Sequence, residues 1–162
     1  MARSFVLLLL AFTAACSRTA STEAAPDLAS ASIASLHVVV EREGGLGGIY
    51  QRRVIDGDAM TYVATTHRIC SVPQCQAATD SASGRLSTEA LRTIAAAALS
   101  SEVWDLRADY GRTPNSADMF EHRLTVSANG RTKTVKGDSG TFPEPASAVE
   151  RAVEQAIMDA RK

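Results

Sequence analysis

The run His67-Arg68-Ile69-Cys70-Ser71-Val72-Pro73-Gln74-Cys75 gathers an imidazole and two thiols, the side-chain types that bind zinc. Three such groups leave a closed tetrahedral site incomplete, and neither His37 nor His122 belongs to a second ligand pair with matching spacing. The reading is therefore no metal centre and no cofactor. In an oxidising compartment the same two thiols are free to pair, and Pro73 turns the short spacer between them, so a Cys70–Cys75 disulfide is expected. Asp56 with Asp58 and Asp105 with Asp109 could be named as carboxylate pairs, but in their local contexts they read as turn formers. His122 shares an alternation face with Leu124 and Val126, which makes it a satisfied histidine at a sheet margin rather than a base. No nucleophile elbow or His-Glu-x-x-His helix is present, and the glycine-rich Gly44-Gly45-Leu46-Gly47-Gly48 lacks the lysine and helix start of a phosphate loop. With no catalytic residues to name, the chain does not read as an enzyme.

The N-terminal end explains where those thiols would be. Arg3 precedes the apolar run Phe5 to Leu10, too short for a permanent span, so residues 1–15 read as a signal peptide. Thr13-Ala14-Ala15-Cys16 resembles a bacterial lipobox, which implies that Cys16 becomes a diacylglyceryl-bearing N-terminus held in a lipid bilayer. Residues 16–35 are rich in Ala, Ser and Thr and bury too little to offset ordering, so a flexible lipid-anchored tether is expected. The expected location is the bacterial cell envelope. The formal net charge of −1 gives no electrostatic reason for a nucleic-acid partner.

Residues 36–162 suffice for one core. Leu36, Val38 and Val40 begin a strand that the glycine-rich stretch interrupts and Ile49 to Ile55 resumes. Met60 to Thr66 has the residue types of a weak third strand, and His67 to Gly84 reads as a turn-rich insertion. Ser87 or Thr88 caps a helix whose buried side is Leu91, Ile94, Ala95, Ala98 and Leu99. Phe120 to Ala128 alternates strictly, and Asn129-Gly130 favours a two-residue hairpin that sets Leu124 opposite Val135. A final helix buries Ala146, Val149, Val153, Ala156, Ile157 and Ala160, with Glu150, Glu154, Gln155 and Asp159 turned mostly away. The expected class is α+β: an antiparallel sheet of about four strands, five at most, with two helices packed on one face.

Arg42, Gly44, Gly45, Leu46, Gly48, Ile49 and Arg52, followed by Asp118, Phe120, Leu124 and Val126, carry a resemblance to emfourin-like proteins. These are proteinaceous inhibitors of thermolysin-type metallopeptidases. The resemblance extends over approximately Leu36 to Ile157, although His122 stands where the family more often has an aromatic residue and the cysteine insertion is additional. It implies a single α+β domain that blocks a secreted metallopeptidase. The residue-level counterpart is Leu46 offered between glycines 44, 45, 47 and 48 on a loop restrained by two strands, ready to fill an apolar pocket. The alternative is a non-catalytic envelope lipoprotein module that binds a protein or cell-wall partner, with Leu46 folded back on the core.

Overall fold

A computed structural model describes residues 33–45, 48–68 and 77–162. After a short turn at Ile33–Ser35 come β1 (His37–Gly44), β2 (Ile49–Asp56), β3 (Thr61–Arg68) and β4 (Ala78–Arg85). Helix α1 (Thr88–Ala98) and the single turn α2 (Ser101–Trp104) lead to β5 (Phe120–Ala128), β6 (Arg131–Asp138) and α3 (Glu144–Ala160). The strands form one antiparallel sheet in the order β4-β3-β2-β1-β5-β6.

The α+β class and antiparallel sheet are as expected, but the element count is not. The sheet has six strands and the described residues contain three helices, against the expected four or five strands and two helices. β4 carries no strand signal of its own, because Ala-Thr-Asp-Ser-Ala-Ser-Gly-Arg has no apolar alternation and almost no burial. It is a strand because β3 offers it a full ladder, from Thr61↔Arg85 to Arg68↔Ala78, and not because of its side chains. α2 is one turn started at Ser100, where the chain breaks after Leu99 and re-enters to bury Val103 and Trp104.

The expected disulfide is not part of what holds the described fold together. Among the described residues there is no disulfide bond, and no helix is long and apolar enough to cross a membrane. Cys16, Cys70 and Cys75 lie outside the described residues, as do the signal and tether. The ladder between β3 and β4, on either side of the cysteine segment, keeps its register through backbone hydrogen bonds. The longest helix among the described residues, α3, has 17 residues and one polar side, so it is built to cover a sheet.

One face of the sheet carries the core. Val38 and Val40 of β1 stand between Ile55 of β2 and Leu124 and Val126 of β5, with Val135 of β6 beyond, all fully buried. α1 and α3 pack against each other over this face through Leu91, Ile94, Ala98, Val149, Val153 and Ile157. Ser87 provides the α1 cap, its hydroxyl accepting from the Ala90 N–H at 3.1 Å. Ala160, expected on the buried stripe, is exposed at the end of α3. Trp104 closes one side of the core, donating from Nε1 to the Ala98 carbonyl at 3.1 Å while Arg131 lies over its ring. The outer edge of β6 is occupied in part: Lys136 donates to the Ala108 carbonyl and accepts from Tyr110, each at 2.9 Å.

The β5–β6 turn has the expected register, Ala128↔Arg131 and Leu124↔Val135, with Asn129 at φ 50° and Gly130 at φ 74°. A side chain at position 130 would meet nothing within 4 Å, so a substitution there acts through backbone strain alone. Gly130→Val should lower the unfolding free energy by about 1–3 kcal/mol, and Gly130→Asn by clearly less, because Asn tolerates positive φ. Denaturant titration of the two variants checks the order.

Candidate functional site

The expected binding stretch lies where β1 turns into β2, and β1 is an interior strand with β2 on one side and β5 on the other. Gly44, Gly45 and Gly48 take φ values of 133°, 72° and 56°, and the Gly48 N–H donates to the Gly45 carbonyl at 3.0 Å. Leu46 and Gly47 lie outside the described residues. The flank before them is backed closely. A Cβ on Gly44 would come within 2.7 Å of the Met119 carbonyl oxygen, and one on Gly45 within 3.0 Å of the Phe120 ring. Arg42 also lies over that ring, its guanidinium carbon 4.9 Å from the centroid, an attraction of about 0.5–2 kcal/mol depending on desolvation. β1, the loop flank and the start of β5 therefore share one support at Phe120.

A second polar constellation lies on the same sheet face. His122 of β5 is buried, with its Nδ1 3.0 Å from Glu150 Oε2 and its Nε2 3.1 Å from Ser139 Oγ. Its ring stacks on Phe142, centroids 5.1 Å apart. The expectation of a satisfied histidine at the sheet margin holds for its burial, but its partners come from α3 and the turn after β6. Glu150, expected to face away, instead turns toward the sheet with a side chain only 13% exposed. Helical spacing alone puts Glu150 beside Val149 and Val153, and only a histidine 28 residues earlier reveals that this flank is covered.

Asp138 shapes the turn that carries Ser139. Its buried carboxylate accepts from the Thr113 N–H and hydroxyl, from the Gly140 and Thr141 N–H groups, and from the Thr141 hydroxyl. The Thr113 backbone N–H, against the opposing effect of burial and with the help of the other donors, holds the Asp138 carboxyl far below the usual carboxylate range. The Ser139 N–H donates to the Phe120 carbonyl at 2.9 Å. The run Gly137-Asp138-Ser139-Gly140 has the composition of an ordinary turn, and nothing in it announces that His122 and Glu150 meet it.

Among the described residues no helix covers the opposite face, whose side chains form rows across the strands. Glu43 of β1 is directly opposite Glu121 of β5 on one side and Tyr50 of β2 on the other, with His67 next in the row. The Tyr50 hydroxyl donates to Glu41 at 2.7 Å; burial first, then this carboxylate, raises the phenol above its ordinary value. Glu41, Glu43, Tyr50, Glu121 and Arg123 line a depression of about 180 Å³. His67 bonds through Nδ1 to the Thr79 hydroxyl at 2.8 Å, and Cys70 and Cys75, the other groups of the rejected zinc reading, are outside the described residues. Asp56 and Asp109 accept from the N–H groups of Ala59 and Gly111, as turn formers do. Among the described residues no three His, Cys, Asp or Glu side chains are grouped to hold a metal.

Compared with family models and with curated proteins, the chain matches none.

Two measurements test this geometry. Glu150→Ala removes the carboxylate facing buried His122 and should lower stability by about 1–3 kcal/mol, whereas Gln155→Ala, on the exposed side of α3, should change it by less than about 0.5 kcal/mol. Asp138 sets an acid limit. Its folded pKa lies below the unfolded one, so its contribution is complete above the unfolded value of about 4 and is lost as pH falls toward the folded value. Denaturant titrations from about pH 5 to about pH 3 should show wild type losing more stability than Asp138→Asn.

Proposed function

We propose that the domain is a proteinaceous inhibitor of a secreted thermolysin-type metallopeptidase, working in the cell envelope with an acyl group on Cys16 as its anchor. The observation that carries the reading is the backing of the β1–β2 connection. Gly44 and Gly45 are pressed against the Met119 carbonyl and the Phe120 ring, and Phe120 is itself held under Arg42. A loop whose leading flank is fixed before contact loses less freedom on binding, and this is what a stoichiometric inhibitor requires. An interior position adds to this, because β1 is restrained by ladders on both sides. The sequence resemblance to emfourin-like inhibitors falls on these same residues and supplies the target class. On this reading Leu46, between the two glycine pairs, is the apolar anchor and concentrates the contact energy.

The second reading is a non-catalytic envelope module that binds a protein or cell-wall partner. The uncovered sheet face favours it, with Glu43 and Glu121 side by side and the depression at Glu41 and Tyr50.

The test is a panel of secreted thermolysin-type peptidases titrated with the full mature chain and with Leu46→Asp. At least one peptidase should lose turnover at equimolar protein while retaining its zinc. Leu46→Asp should weaken that inhibition by more than about tenfold, because a carboxylate would be forced into an apolar pocket, with unchanged circular dichroism. Full activity of every peptidase would move the assignment to the binding module. Inhibition untouched by the substitution would remove Leu46 as the anchor and leave the rest standing.

A further inference from the structure

We propose that Ser139 is a nucleophile that accepts acyl groups from small activated carboxylic esters, with His122 as its general base and Glu150 as the residue that positions the base. This goes beyond inhibition and does not depend on it. Three separate elements bring the groups together: β5 carries His122, the turn after β6 carries Ser139, and α3 carries Glu150. The order of contacts is carboxylate, imidazole, hydroxyl, at 3.0 Å and 3.1 Å. A carboxylate only accepts hydrogen bonds, so in the neutral ring the proton sits on Nδ1 toward Glu150 and Nε2 turns its lone pair to the Ser139 hydroxyl. This is the proton arrangement that activates a serine.

The surroundings favour a fixed geometry with access from one side. His122 is buried and held flat against Phe142, so the ring has one orientation. Ser139 is exposed, but its backbone is tied to Phe120 and its turn is pinned by Asp138. Its hydroxyl also reaches the Phe120 carbonyl at 3.4 Å, a longer contact than the one to His122. Arg42 lies directly across the ladder from His122 and over the Phe120 ring, and its buried Nε has no hydrogen-bond partner among the described residues. It is the cation beside His122 on this face.

In the acylation step Ser139 Oγ forms a bond to the ester carbonyl carbon and its proton passes to His122 Nε2. The bond from that carbon to the leaving oxygen then breaks, and the alcohol or phenol departs with the proton. Water reverses the sequence: it adds to the acyl carbon, gives its proton to Nε2, and releases the carboxylic acid as Ser139 regains its hydrogen. The N–H groups of Ser139, Gly140 and Thr141 already have acceptors within the protein, so the backbone offers no free pair of donors for the oxyanion. Missing donors of this kind slow turnover by roughly 10²–10³ each. Good leaving groups and slow release of the acyl group are therefore expected.

The experiment uses the full mature chain with a fluorophosphonate probe and with 4-nitrophenyl acetate, read by intact mass, peptide mapping and nitrophenol release. With the probe, Oγ bonds to phosphorus, fluoride leaves and the proton goes through His122 to solvent. A single adduct on Ser139 is expected, lost in Ser139→Ala. His122→Gln should slow labelling by about 10²-fold or more, and Glu150→Gln, which keeps an acceptor for Nδ1–H, should retain more of the rate than Glu150→Leu. Ser139 is exposed, so Ser139→Ala should stay folded and remains decisive even if the His122 variant unfolds. Absence of any adduct under excess probe, an adduct that survives in Ser139→Ala, or labelling indifferent to His122→Gln in folded protein each overturns the proposal.

Discussion

The register of β1 governs the rest of the molecule. It pairs along its whole length with β2 and with β5, so Val38 and Val40 are enclosed on both flanks while Glu41 and Glu43 face the other side. A slip of one residue would carry the valines to the uncovered face and drive Glu41 under the helices. The same register puts Arg42 across from His122 and Gly44 across from Phe120. The loop flank and the histidine cluster are thus positioned by one strand. α3 adds the final constraint, since its apolar side and its Glu150 and Glu154 must all find their places over the sheet at once.

Those two carboxylates show how the core ends. Moving along the covered face from Val40, the next positions are Arg42 and, on the neighbouring strands, Arg53 and His122. Glu154 lies 3.0 Å from Arg53, and Glu150 meets His122 at the same distance. Arg53 also donates to the Thr65 carbonyl at 3.0 Å, which ties β2 to β3 beneath the helix. Half-buried pairs of this kind add less to stability than the valines they border. They do set the helix at one angle and one translation, because a turn of α3 in either direction would separate both pairs.

Much of this is legible in the sequence where side chains carry the signal. Asn129-Gly130 between alternating runs specifies a hairpin and its register, and the stripes of α1 and α3 match their buried residues closely. β4 is not legible, because its eight small and polar residues owe their conformation to a neighbour's backbone. Glu150 escapes for a related reason: the amphipathic pattern marks a helix's buried centre, while its margins depend on what lies beneath. Ser139 and His122 are 17 positions apart, and their meeting depends on Asp138 gathering Thr113, Gly140 and Thr141 around itself. No local rule contains that long-range closure.

The two borders of the sheet differ. At β6, Ala108 and Tyr110 take the outward groups of Lys136, whereas among the described residues nothing pairs with the outer side of β4. A polymer formed by joining sheets edge to edge needs two open borders on every subunit. With one border partly stoppered, head-to-tail growth from β4 onto β6 would have to displace the chain between Ala108 and Tyr110. Two molecules meeting β4 to β4 would use up both open borders and stop at a pair, so the segment that leads into β5 stands where a growing fibre would have to add its next sheet.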